Sequence, residues 1–90
     1  MTLTDMFNVS SQAIARQVGD ETVILHLGSG TYFGLDAVGS RIWQLMEKGK
    51  SLNEIRDVVL DEYEVSSEDV ERDIAGLIKD LLAQDLVSKA

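Results

Sequence analysis

Ninety residues allow one hydrophobic core of modest size and not two, so a single domain over residues 1–90 is expected. With 44% hydrophobic and 27% charged residues, the composition is that of a folded globular chain and excludes general disorder. Sixteen Asp and Glu against eight Lys and Arg give a net charge of -8, which repels phosphate and argues against nucleic acid and anionic membranes as partners.

Residues Met1 to Ser11 carry apolar Met6, Phe7 and Val9 without a clear period, so this stretch reads either as an added strand or as a loose arm. Ala13 to Val18 alternates weakly and predicts a strand with Ile14 and Val18 on one side. Gly19-Asp20-Glu21 can turn the chain. Thr22 to Leu27 is the clearest strand, with Val23, Leu25 and Leu27 on one face and Thr22, Ile24 and His26 on the other. Gly28-Ser29-Gly30 offers two residues free to take positive φ for a tight hairpin, after which Thr31 to Leu35 returns with Phe33 and Leu35 on a common face. These segments predict a three-stranded antiparallel meander.

From Asp36 the period changes from two to about 3.6 residues. Asp36 is a good N-cap for a helix with Val38, Ile42, Leu45 and Met46 at helical spacing, widened by Trp43 and ended by Gly49. Ser51 and Glu54 have the spacing of a capping box, opening a second helix that buries Leu52, Ile55, Val58 and Val59 and runs to about Tyr63. Ser66 and Asp69 make a weaker version before the third helix, whose stripe of Val70, Ile74, Leu77, Ile78, Leu81 and Leu82 is the strongest periodic signal. Gly76 sits inside that helix at a cost of about 1 kcal/mol relative to alanine. Either another segment approaches closely there or the position is tolerated, the second being the simpler reading. The fold class expected is α+β and winged-helix-like: three antiparallel strands followed by three helices.

Chemistry for catalysis is hard to find. His26 is the single histidine and has no second nitrogen or sulfur ligand, so it reads as a surface or half-buried strand residue and not as a metal ligand. Acid pairs such as Asp61 with Glu62 point about 100° apart on a helix and belong to a solvated face. The serines cap or turn, none lies in a glycine-x-serine-x-glycine elbow, and the chain has no cysteine. No enzyme activity, metal or cofactor is expected. With no basic-then-apolar leader at Met1 and no apolar run near 18 residues, the expected location is the cytoplasm.

Three helices behind a small sheet also suggest a winged-helix DNA adaptor. Against that use stand Glu68, Asp69, Glu71, Asp73, Asp80 and Asp85, with only Arg72 and Lys79 opposing them. An acyl carrier is excluded because Ala37 stands where the modified serine would be. What remains is an interaction module: the last strand of a meander is an edge, able to accept an extended peptide as a further strand. For Phe33, Leu35, Ile74 and Leu77 taken singly, plain core packing is the competing reading, whereas the exposed edge position of Tyr32 is harder to explain that way.

The order of these features resembles the PqqD-like family: strand Val23 to Leu25, glycine hairpin, Tyr32-Phe33-Gly34-Leu35-Asp36, Gly39 to Trp43, the Ser51-Leu52-Asn53-Glu54-Ile55 helix start and a closing helix from Val70 to Val87. The resemblance covers nearly everything after about residue 12. It implies a stand-alone, non-catalytic recognition element that binds the leader of a ribosomally made precursor peptide and delivers it to a modifying or processing enzyme. On that basis the leader is expected to pair with Thr31, Tyr32, Phe33, Gly34 and Leu35 and to pack its anchors on Val70, Ile74 and Leu77, with Asp69 and Asp73 meeting basic leader residues at the rim. A lasso-peptide pathway with a separate leader-cleaving cysteine protease is the favoured setting; a radical or other modifying enzyme is the alternative partner. The competing function is a winged-helix transcriptional or antitoxin-like adaptor.

Overall fold

A computed structural model describes residues 2 and 4–90 and places five strands and three helices in the order β1 (Phe7–Val9), β2 (Ala13–Val18), β3 (Glu21–His26), β4 (Tyr32–Leu35), α1 (Ala37–Glu47), α2 (Leu52–Glu62), α3 (Ser67–Ala83) and β5 (Val87–Lys89). The expected meander is present, in the order β2-β3-β4 and antiparallel throughout. Gly19, with φ +66°, turns β2 into β3 in two residues, as a glycine at the first central position of a primed turn does. In the β3–β4 hairpin only Gly30 takes positive φ (+71°). Gly28 is needed for a different reason: a Cβ there would stand 3.0 Å from the His26 ring.

That ring is more enclosed than a surface histidine. His26 is 8% exposed and its Nδ1 accepts from the Ser29 N–H at 3.2 Å, tying the loop to the strand. With it, Thr22 and Ile24 form the inward face of β3. The other face of the sheet stays in solvent and carries Ile14, Val18, Val23 and Tyr32.

The N-terminal stretch is a strand after all. β1 pairs antiparallel with β5 in a second, two-stranded sheet, Phe7 opposite Lys89 and Val9 opposite Val87, which sends Phe7 and Val87 into the core. Met1 and Leu3, part of the possible loose arm, lie outside the described residues. The expected helix from Val70 to Val87 therefore ends early, at Ala83. It ends in a Schellman motif: Leu86 N–H donates to the Leu81 carbonyl at 2.9 Å and Asp85 N–H to Leu82 at 3.1 Å, with Asp85 itself at φ +58°. α1 ends in the same way, through Lys50 to Leu45 (3.1 Å) and Gly49 to Met46 (2.9 Å), but there the left-handed residue is Gly49.

The caps at the helix starts follow the sequence. Asp36 Oδ1 accepts from Gly39 N–H at 2.8 Å, Glu54 reaches back to Ser51 N–H at 3.0 Å, and Ser66 Oγ accepts from Asp69 N–H at 3.1 Å. One core joins all layers: Ile24 from the sheet, Ile42 and Trp43 from α1, Ile55 and Val59 from α2, Ile74, Ile78 and Leu81 from α3, and Leu86 beyond it. Leu82, expected in the α3 stripe, is instead 44% exposed. The Trp43 indole N–H is, among the described residues, the one buried side-chain polar atom without a hydrogen-bond partner. On the surface, Arg41 forks onto Glu62 at 2.8 and 2.9 Å, clamping α1 to the end of α2, and Arg56 reaches Glu71 at 3.3 Å to join α2 to α3.

Two expectations follow. Asp85→Val should cost at least about 1 kcal/mol in urea unfolding, because a β-branched residue resists the left-handed region, while Asp85→Gly should be neutral or stabilising. Hydrogen bonding from Arg41 holds the Glu62 carboxyl below its ordinary range. A carboxylate so depressed contributes stability that is present above the ordinary glutamate value of about 4.3 and is lost as the pH falls. The difference in urea midpoint between the protein and Glu62→Gln should therefore shrink toward zero below that pH.

Candidate functional site

The strand-to-helix corner at Asp36 shapes a concavity between the sheet and the helices. The carboxylate that caps α1 is the residue directly after β4, so the chain changes direction within one residue and the first turn of α1 stands beside the strand. Gly39 permits this closeness, since a Cβ there would lie 3.2 Å from Asp36 Oδ1 and 3.4 Å from the Leu35 side chain. Ser40, also buried, donates its hydroxyl to the Leu35 carbonyl at 3.5 Å.

The result is a groove of about 530 Å³. One wall is Phe33, Gly34 and Leu35 of β4, the floor is Val38 and Ile42 of α1, and the opposite wall is the α3 stripe Asp73, Gly76, Leu77 and Asp80, with Arg72 beside it. The spacing i, i+3, i+4, i+7 puts those four on one helix face.

The strand's backbone supplies the second element of the site. His26 N–H donates to the Thr31 carbonyl at 2.9 Å, so these two form a hydrogen-bonded pair of the β3–β4 ladder. Antiparallel pairs alternate, which places Phe33 opposite Ile24 and Leu35 opposite Thr22 in the same class. The N–H and C=O groups of Tyr32 and Gly34 consequently point away from β3, toward the free edge. That edge runs along the mouth of the groove.

The residues expected from sequence divide into four groups. Phe33, Gly34, Leu35, Asp73 and Leu77 line the groove. Thr31 and Tyr32 lie on the same strand segment outside it: the Thr31 hydroxyl is 2.7 Å from that of Ser29, and Tyr32, 72% exposed, projects from the opposite sheet face. Asp69 lies on the outer surface, 3.1 Å from Arg72. Val70 and Ile74, expected to face a ligand, are 2% and 1% exposed in the core, where they support the α3 wall from behind. Sequence reasoning missed Gly76 and Asp80 as wall residues; their spacing from Asp73 and Leu77 was the signal that could have found them.

Charge at this site is one-sided. Asp73 and Asp80 have no ion pair among the described residues, whereas Arg72 is held by Asp69. The arrangement offers apolar surface, a row of unpaired backbone groups and a negative rim. It suits an extended chain with apolar side chains and positive charge better than it suits a reaction. No group of three or more His, Cys, Asp or Glu placed to hold a metal ion occurs among the described residues. No described helix is long and apolar enough to cross a membrane.

The profile of the family described as coenzyme PQQ synthesis protein D (PqqD) matches residues 21–87. The chain belongs to the PqqD family. Two solved structures resemble this PqqD-family chain over nearly all of its length. TbiB1, solved in complex with the TbiA(beta) leader peptide, is 46% identical with a TM-score of 0.85, over 90% of this chain and 94% of that one. A lasso peptide synthetase B1, solved with its leader peptide, is 29% identical with a TM-score of 0.82, over 91% and 96%. No curated protein matches the chain significantly.

The corner that shapes the groove is open to direct test. Asp36→Ala should lower thermal stability by about 1 kcal/mol, the usual loss for an N-cap. Amide hydrogen exchange should quicken first at Gly39 and Ser40, not throughout the chain.

Proposed function

We propose that this PqqD-family protein is a non-catalytic recognition element for the leader of a ribosomally made precursor peptide in a lasso-type pathway. In this reading the leader adds to β4 as a further strand, bonding to the Tyr32 and Gly34 backbone groups, and turns its anchor side chains into the groove between β4 and α3. The observation that carries it is the free β4 edge beside a groove with apolar walls and an acidic rim, in a chain 46% identical to one solved with a leader peptide bound. Each net main-chain bond contributes about 0.5–1.5 kcal/mol and each buried anchor about 1.5–3 kcal/mol, set against the cost of immobilising the peptide.

With the leader held at one face, the rest of the precursor extends to a separate processing enzyme. A leader-cleaving cysteine protease is the partner this reading favours, and the protein acts beside it in the cytoplasm. Asp73 and Asp80 draw in basic leader residues and disfavour acidic ones.

The test uses the leader segment of the small precursor encoded beside this protein's gene. Amide shifts on titration should concentrate in 31–35 and 72–80, and N-methylation of the peptide at alternate positions should weaken binding at least tenfold in one register and little in the other. Leu77→Asp, at a half-buried position packed on the core, should lower the melting temperature and, in the folded variant, weaken binding by more than about 1 kcal/mol. No shifts at millimolar peptide would refute the reading.

A further inference from the structure

Gly76 is an anomaly that the fold itself does not account for. It is the one glycine of α3 and sits at the middle of its 17 residues, where glycine weakens a helix relative to alanine. Its φ is not positive, and a Cβ built on it would meet nothing within 4 Å, so neither backbone conformation nor close packing within the chain calls for it. It is exposed, and it opens into the groove between Asp73 and Asp80, beside Leu77 and across from Phe33.

We propose that Gly76 determines anchor specificity: its bare backbone is the seat on which one bulky, non-acidic leader side chain lies flat against α3. This rests on the leader-binding reading and refines it. Without a Cβ the occupant approaches the helix axis more closely than any other residue would allow, and it gains contact with the peptide groups of the 73–77 turn as well as with Leu77. The carboxylates of Asp73 and Asp80 bracket the seat one turn to either side, so an anchor bearing Asp or Glu is refused, while an aromatic or long aliphatic side chain, or one ending in a cation, is accepted. The weaker helix is the consequence of keeping this seat open.

Gly76→Ala separates the two roles because it moves stability and binding in opposite directions. Its melting temperature should rise by about 4–8 °C, the effect of a better helix former in a domain of this size. Its affinity for the synthetic leader, measured by fluorescence anisotropy, should fall at least tenfold. Combining Gly76→Ala with an alanine scan of the peptide should then identify a single peptide position at which the two losses do not add, and that position is the anchor. A raised melting temperature with unchanged affinity would overturn the proposal and leave the glycine as merely tolerated. So would a loss that adds equally with every peptide position. Failure of the unsubstituted protein to bind the leader at all would overturn the leader-binding reading, and this one with it.

Discussion

The constraint on which the rest depends is the single-residue passage from strand to helix at Asp36. A strand and a helix have different periods and different demands for hydrogen bonds, and a chain that changes from one to the other without a loop must satisfy the first amides of the helix immediately. The Asp36 carboxylate does so through Gly39, and the lack of a side chain at Gly39 lets the cap close against Leu35. Because the corner is tight, β4 is held beside the start of α1 while α3 forms the far wall. The groove between strand and helix stays open, and the strand edge stays unpaired.

The other elements serve that geometry from behind. α3 presents Val70, Ile74, Ile78 and Leu81 to the core, so its position is set by packing on one face, and the adjoining flank carries Asp73, Gly76, Leu77 and Asp80. Charge is distributed to match. The arginines at 41 and 56 are spent on joining helices, Arg72 is paired with Asp69, and the carboxylates facing the groove remain unneutralised. A protein of net charge -8 thus directs part of its excess into the groove beside the free edge of β4.

Much of this was legible in the chain. Alternation in Thr22 to Leu27 and the caps at Asp36, Ser51 and Ser66 gave strands and helix starts, because those signals depend on neighbours in sequence. β5 was not legible, since Val87-Ser88-Lys89 is too short for a period and the turn before it uses Asp85 where the familiar sign is glycine. The inward turn of His26 depended on which face of the sheet the helices cover, a tertiary fact. Likewise the stripe from Val70 to Leu82 established that α3 is amphipathic but not which residues meet the core, and so Val70 and Ile74 were assigned to the groove they only support. Groove walls come from two elements distant in sequence, and the pattern along either one cannot display the gap between them.

The pairing of β1 with β5 has a mechanical side. Phe7 lies opposite Lys89, and Ala90 N–H donates to the Met6 carbonyl at 2.9 Å, so both chain ends leave from the same end of the ladder. Tension drawn between those ends loads the hydrogen bonds one after another, as a zipper is loaded, and not all at once as in a sheared joint. The molecule is therefore weakest under pull at its termini. Phe7 and Lys89 would separate first and Val9 and Val87 last, while the corner at Asp36, outside the line of force, would keep the groove intact until the core behind it gave way.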